Sequence, residues 1–123
     1  MGNHHMDRIR EDITRELTAI LRTVKDPRVG DGLISVLRVD VSNDLSYATV
    51  HITSLGGMEA AKQAVKGLQS AAGYMRKSLG AALKLRHTPE LRFVPDDSIA
   101  YSAQIEEKLL QLEREKKERE QHD

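Results

Sequence analysis

The chain has 123 residues, 39% hydrophobic and 3% aromatic, with no cysteine and a formal net charge of zero. That length suits one domain with a Leu, Ile, Val and Ala core, and the lack of cysteine removes disulfides, thiolate chemistry and zinc–cysteine sites. No apolar run approaches the ~18 residues of a membrane span, and no signal-peptide pattern is visible, so the expected location is the cytoplasm.

The stretch MGNHH, residues 1–5, reads as an expression scar before a start at Met6, which makes His4 and His5 poor metal ligands. Ile9, Ile13, Leu17, Ile20, Leu21 and Val24 recur at helical spacing and predict a helix over 7–24. Asp7, Glu11 and Asp12 stand in its early turns, and Arg22 and Lys25 near its end, as the helix dipole favours. The pairs Arg8/Asp12 and Glu11/Arg15 are spaced for i,i+4 support. Asp26 before Pro27 stops the helix, and DPRVGDG reads as a loop.

Residues 33–41 alternate, with Leu33, Leu37, Val39 and Val41 on one face and Arg38 and Asp40 on the other. After the turn SNDLS, residues 46–54 alternate again: Ala48, Val50 and Ile52 against Tyr47, Thr49, His51 and Thr53. The two runs predict a β-hairpin with one buried face. Gly56-Gly57 then breaks the strand, as a flexible turn or, more weakly, a phosphate cradle.

From Glu59 the period becomes helical, through Ala61, Val65, Leu68, Ala72, Met75, Leu79 and Leu83. The stripe runs through Gly73 without losing phase, so the expectation is a bend at Gly73 between two packed helical halves. If the helix bends there, the amides of Tyr74 and Met75 lose carbonyl partners and favour an anion beside Arg76 and Lys77. Otherwise the basic pair is a solvated face and Gly73 allows close helix–sheet packing. Residues 91–94, LRFV, predict a short strand with Arg92 pointing outward. Asp96-Asp97 before Ser98 reads as a turn and helix start. Ile105, Leu109 and Leu112 mark a last amphipathic stretch, followed by the charged EREKKEREQHD, a frayed helix or disordered tail. The class is α+β, in the order α-β-β-α-(kink)-α-β with a loose C-terminal helix. Its three-stranded sheet is covered by helices on one face.

Residues 59–92 carry 7 basic side chains (Lys62, Lys66, Arg76, Lys77, Lys84, Arg86 and Arg92) against Glu59 and Glu90. Both flanks are acidic in balance, so the chain has one directed basic region. Lys84, Arg86 and His87 stand where the last turn of a helix would favour cations without any ligand. Arg28 lies in the KDPR loop, as a binding residue or a solvated arginine. His51 has no Asp, Glu or second His spaced to partner it and reads as an exposed sheet histidine. No P-loop, G-x-S-x-G or HExxH is present, and no catalytic constellation is visible.

KDPR after an amphipathic helix, VDVSNDLSYATVHIT, SAAGYMRKSLGAALKLRHTPELRF, and DDS with the helix that follows together resemble bacterial ribosome-binding factor A, from about Asp7 to Leu112. The resemblance implies a type II KH-like RNA-binding domain over 6–97 and a charged helix or tail over 98–123. It implies a non-enzymatic assembly factor that binds the 30S small ribosomal subunit and assists 16S rRNA processing, including in cold adaptation. The expected partners are the 30S subunit and 16S rRNA. No membrane, cofactor, metal or small-molecule substrate is expected, and the protein is expected to be a monomer. In place of the GxxG loop of ordinary KH domains stands Ala71-Ala72-Gly73, which resembles this family's own kink. The expected RNA-binding residues, taken from the basic stretch and the KDPR loop, are Arg76, Lys77, Lys84, Arg86, Arg92, Lys62, Lys66 and Arg28. The alternative is a protein-interaction module that uses its charged C-terminal helix, with no direct RNA role.

Overall fold

A computed structural model describes residues 2–30 and 33–121, and the side chains of all of these except 2–4, 100–105 and 121. Asp31 and Gly32 of the predicted loop, and the side chain of Ile105, lie outside the described residues.

Helix α1, Gly2–Leu21, starts ahead of the predicted 7, so no acid stands in its first turn. It buries Ile13 and Leu17 completely. It ends before Pro27 is reached because its last turn tightens. The amides of Arg22 and Thr23 donate three residues back, to Ala19 and Ile20, at 3.3 and 2.9 Å. The observed ion pairs are Arg10–Asp7 and Arg15–Asp12, both i,i+3, rather than the expected i,i+4 pairs. Both spacings share a helix face, and either supports the helix by only ~0.2–0.5 kcal/mol.

Strands β1 (Ile34–Val41) and β2 (Tyr47–Ser54) form the antiparallel hairpin. Strand β3, Glu90–Pro95, lies parallel to β2, giving the order β1-β2-β3. A parallel neighbour requires a crossover, and helices α2 (Met58–Ser70) and α3 (Ala72–Leu83) supply it. These two helices and α1 cover one face, where Ala48, Val50 and Ile52 are fully buried. Leu91 and Phe93 join that core, and Arg92 between them faces outward.

The predicted phase of β1 is wrong over its first half. Val36 pairs with Ile52, and the next pair is Arg38 with His51, so Leu37 is the extra residue of a β-bulge. A bulge shifts the alternation by one. Ile34 therefore takes the core face at 7% exposure, while Leu33 is 51% exposed. Both frames offer leucine, isoleucine or valine to the core, so pattern alone does not choose between them.

The crossover is also not one helix bent at Gly73. Helix α2 ends at Ser70, Ala71 stands between the helices, and Gly73 lies inside α3. A methyl group at Gly73 would meet nothing within 4 Å, so this glycine serves neither a bend nor a close contact. Leu68 before the break at Ala71 and Met75 after it are both fully buried, so the apolar stripe faces the core on both sides of it. The close approach occurs at Gly80, where a Cβ would lie 2.5 Å from the Thr88 hydroxyl.

Helix α4, Ser98–Gln121, leaves the sheet after β3. Leu109 and Leu112, expected to mark an amphipathic face, are 56% and 60% exposed. Among the described residues no helix is long and apolar enough to cross a membrane.

Candidate nucleic-acid interface

Arg76 and Lys77 project from α3 into a surface groove of about 510 Å³ whose other wall is Leu85 to Thr88. Residues from two elements meet here because α3 ends early. Leu83 is its last residue, and Lys84 turns into the left-handed region at φ 52°, with the amide of Leu85 donating to the Gly80 carbonyl at 3.2 Å. Arg86 and His87 therefore stand beyond the helix rather than in its last turn. The dipole account of their charge does not apply to them. They face Lys77 across the groove instead, and none of the lining residues is acidic.

Arg76 has a second task. Its Nε and Nη2 both donate to the Thr88 carbonyl, at 3.1 and 2.8 Å. The fork ties α3 to the segment that leads into β3, just where Gly80 lets Thr88 come close. Replacing Arg76 by alanine removes two charge-assisted bonds at an exposed site, and a loss of about 1 kcal/mol in thermal or urea unfolding is expected. Lys77→Ala is expected to stay within about 0.5 kcal/mol, as an exposed side chain without such a partner does.

The bend hypothesis supposed a free amide at Met75, but that amide donates to the Ala71 carbonyl at 2.9 Å. An anion at this place would therefore be held by side chains, not by the Met75 amide.

The remaining basic residues are scattered. Arg28 is held by Asp26 through its Nε and Nη2 at 3.1 and 2.9 Å, and reaches the Ser70 hydroxyl at 3.2 Å, beside the helix break. These bonds from Arg28, side chain first and then backbone, lower the Asp26 carboxyl to about 2. Lys62 pairs with Glu59 at 3.5 Å on α2, and Lys66 is exposed on the same helix. Lys84 is exposed but does not line the groove. Arg92 lies on the opposite, open face of the sheet, with its guanidinium 3.8 Å above the centre of the Tyr47 ring. Of the eight basic residues singled out above, the groove gathers Arg76, Lys77 and Arg86.

Two features escaped the sequence. Tyr74 is bonded to the Thr23 hydroxyl at 2.7 Å, tying the end of α1 to the start of α3. His51, expected to lack partners, has a carboxylate oxygen 3.0 Å from each ring nitrogen, from Asp40 and Asp96. Asp40 comes from the paired strand and Asp96 from beyond β3, a sequence separation that no spacing rule reads.

The family model described as ribosome-binding factor A matches residues 5–109. A protein of that name from Trichormus variabilis is 41% identical over 112 residues, which cover 90% of this chain and 84% of the relative. The solution structure of a Thermotoga maritima protein, described as a candidate ribosome-binding factor A, matches with a TM-score of 0.65. It is 32% identical and covers 72% of this chain and 83% of its own. Thermus thermophilus ribosome-binding factor A, as a homology model fitted into the cryo-EM map of a 30S complex, shares the fold. Its TM-score is 0.61 at 24% identity, covering 73% of this chain and 93% of its own. The matched residues run from α1 across the whole sheet and both crossover helices into α4, so fold and sequence agree over the groove and its supports: the chain belongs to the ribosome-binding factor A family.

Proposed function

We propose that this protein is a non-enzymatic assembly factor that binds the 30S subunit through 16S rRNA and assists maturation of that RNA, including in the cold. The observation that carries the reading is the groove in which Lys77, Arg86 and His87 converge with no acid among the lining residues. Such a cluster neutralises backbone phosphates, which position a protein on RNA without reading its sequence. Family membership supports the ribosome as the place where this happens. The fitted position of the Thermus thermophilus protein in a 30S complex suits the same reading. The KH-like domain of 6–97 acts here as a monomer in the cytoplasm, with 98–123 as a charged extension. Lys62, Lys66, Lys84 and Arg28 add a weaker field on the helix side, and Arg92 adds positive charge on the open face of the sheet.

Co-sedimentation with small subunits across a salt series tests this. If five phosphates are neutralised, affinity falls by roughly a few hundredfold between about 50 and 200 mM salt. A flat response overturns the reading.

A further inference from the structure

The open face of the sheet carries an arrangement that the groove does not use. His51 on β2 is largely buried, with its side chain 14% exposed. Its Nε2 lies 3.0 Å from an Asp40 carboxylate oxygen on β1. Its Nδ1 lies 3.0 Å from an Asp96 carboxylate oxygen just past β3. The other Asp96 oxygen accepts the amide of Ser98, the first residue of α4, at 2.8 Å. The Asp96 amide itself donates to the Ile52 carbonyl at 2.8 Å. One side chain thus links the hairpin to the start of the C-terminal helix.

Donor counting decides which form of the ring fits. Neutral imidazole has one N–H and one lone pair, and an ionised carboxylate only accepts. Two carboxylates on opposite sides require two donors, and imidazolium alone supplies them. A neutral ring would aim its lone pair at a carboxylate oxygen 3.0 Å away. The charged groups that face the ring come from both flanking elements. Asp40 comes from β1, with Arg38 Nε 3.5 Å from the same carboxylate oxygen, and Asp96 comes from the junction after β3. From β3 the partner in register is the apolar Val94, and Arg92 stacks over Tyr47 instead. Hydrogen bonds from Ser98, and then the contact with His51, hold the Asp96 carboxyl below its ordinary value.

The described side chains of α4 from 106 onward are all exposed, and the amide of its first residue, Ser98, is held by Asp96. We propose that protonated His51 is the joint that fixes the direction in which α4 leaves the sheet, and that loss of its proton frees the helix. The sign follows from the donor count: the joint holds while both ring nitrogens carry protons and is lost when one of them gives its proton up.

The chain has no cysteine, so Ala19→Cys with Glu113→Cys takes one pair of spin labels, on α1 and α4. The distance between them is measured across pH, together with the ¹⁵N resonances of the His51 ring. The expected result is a narrow distance distribution wherever both ring nitrogens carry protons, and loss of the narrow component at higher pH. His51→Gln, which offers one donor side and one acceptor, should lose it at every pH. Asp96→Asn should lose it too, because it keeps an oxygen for the Ser98 amide but removes the anion beside the ring. A width that does not change with pH or substitution overturns the proposal, as does a narrow distribution with a singly protonated ring. A broad distribution at every pH in the labelled chain that keeps His51 and Asp96 overturns it as well. If His51→Gln fails to fold by circular dichroism, the pH series on that chain decides alone.

Discussion

Small subunits should bind the double variant Lys77→Glu, Arg86→Glu at least about a hundredfold more weakly than the parent, since each charge-assisted contact contributes ~1.5–3 kcal/mol. The size follows from where the two side chains stand. Lys77 comes from α3 and Arg86 from the segment beyond it, yet both line one groove with no acid among the lining residues. Reversal replaces attraction by repulsion on both walls. Neither side chain is in the core, so the melting temperature should hardly move, and the loss is then one of binding. The slope of log affinity against log salt should also fall by about 1.4–1.8, or ~0.7–0.9 for each phosphate contact removed. Binding that survives both reversals would contradict the groove reading. It would move attention to α4, whose Leu109, Leu110 and Leu112 are all more than half exposed.

Leu79→Ala should lower stability by ~2–5 kcal/mol, as removal of a fully enclosed leucine does. In thermal unfolding that corresponds to roughly 10 °C or more for a domain of this size. Leu79 is 0% exposed on the inner side of α3, and Met75 one turn earlier is equally buried. Together they hold against the core the helix whose outer side carries Arg76 and Lys77. A melting curve that shifts by only a degree or two would mean that α3 rests on the core less firmly than its burial indicates.

The groove was partly legible beforehand. The excess of positive charge over 59–92 named its side chains, and the unbroken stripe from Ala61 to Leu83 kept both crossover helices on one sheet face. Periodicity did not say which basic residues would meet. Lys62, Lys66 and Arg76 lie along one helical period, yet only Arg76 reaches the groove, which runs along α3 and the segment beyond it while Lys62 and Lys66 stand on α2. It also did not show that Arg76 is tied to the Thr88 carbonyl. That bond depends on Gly80 admitting Thr88, a contact between a helix and the turn beyond it.

Composition and periodicity by themselves determined the element order, the core face of β2 and β3, and a basic centre between acidic flanks. These are properties of neighbouring residues: hydrophobic spacing selects the helix or strand period, and Pro27, the two glycines after Leu55 and Pro89 punctuate it. Only the tertiary structure decided the frame of β1, since its Leu37 bulge arises in pairing with β2 and both frames are apolar. Within the Ala71-Ala72-Gly73 step that the resemblance marked as a kink, it alone placed the break at Ala71 and Gly73 inside α3. It alone set His51 between Asp40 and Asp96, because a side chain with two hydrogen-bonding ends finds its partners across strands and not along the chain.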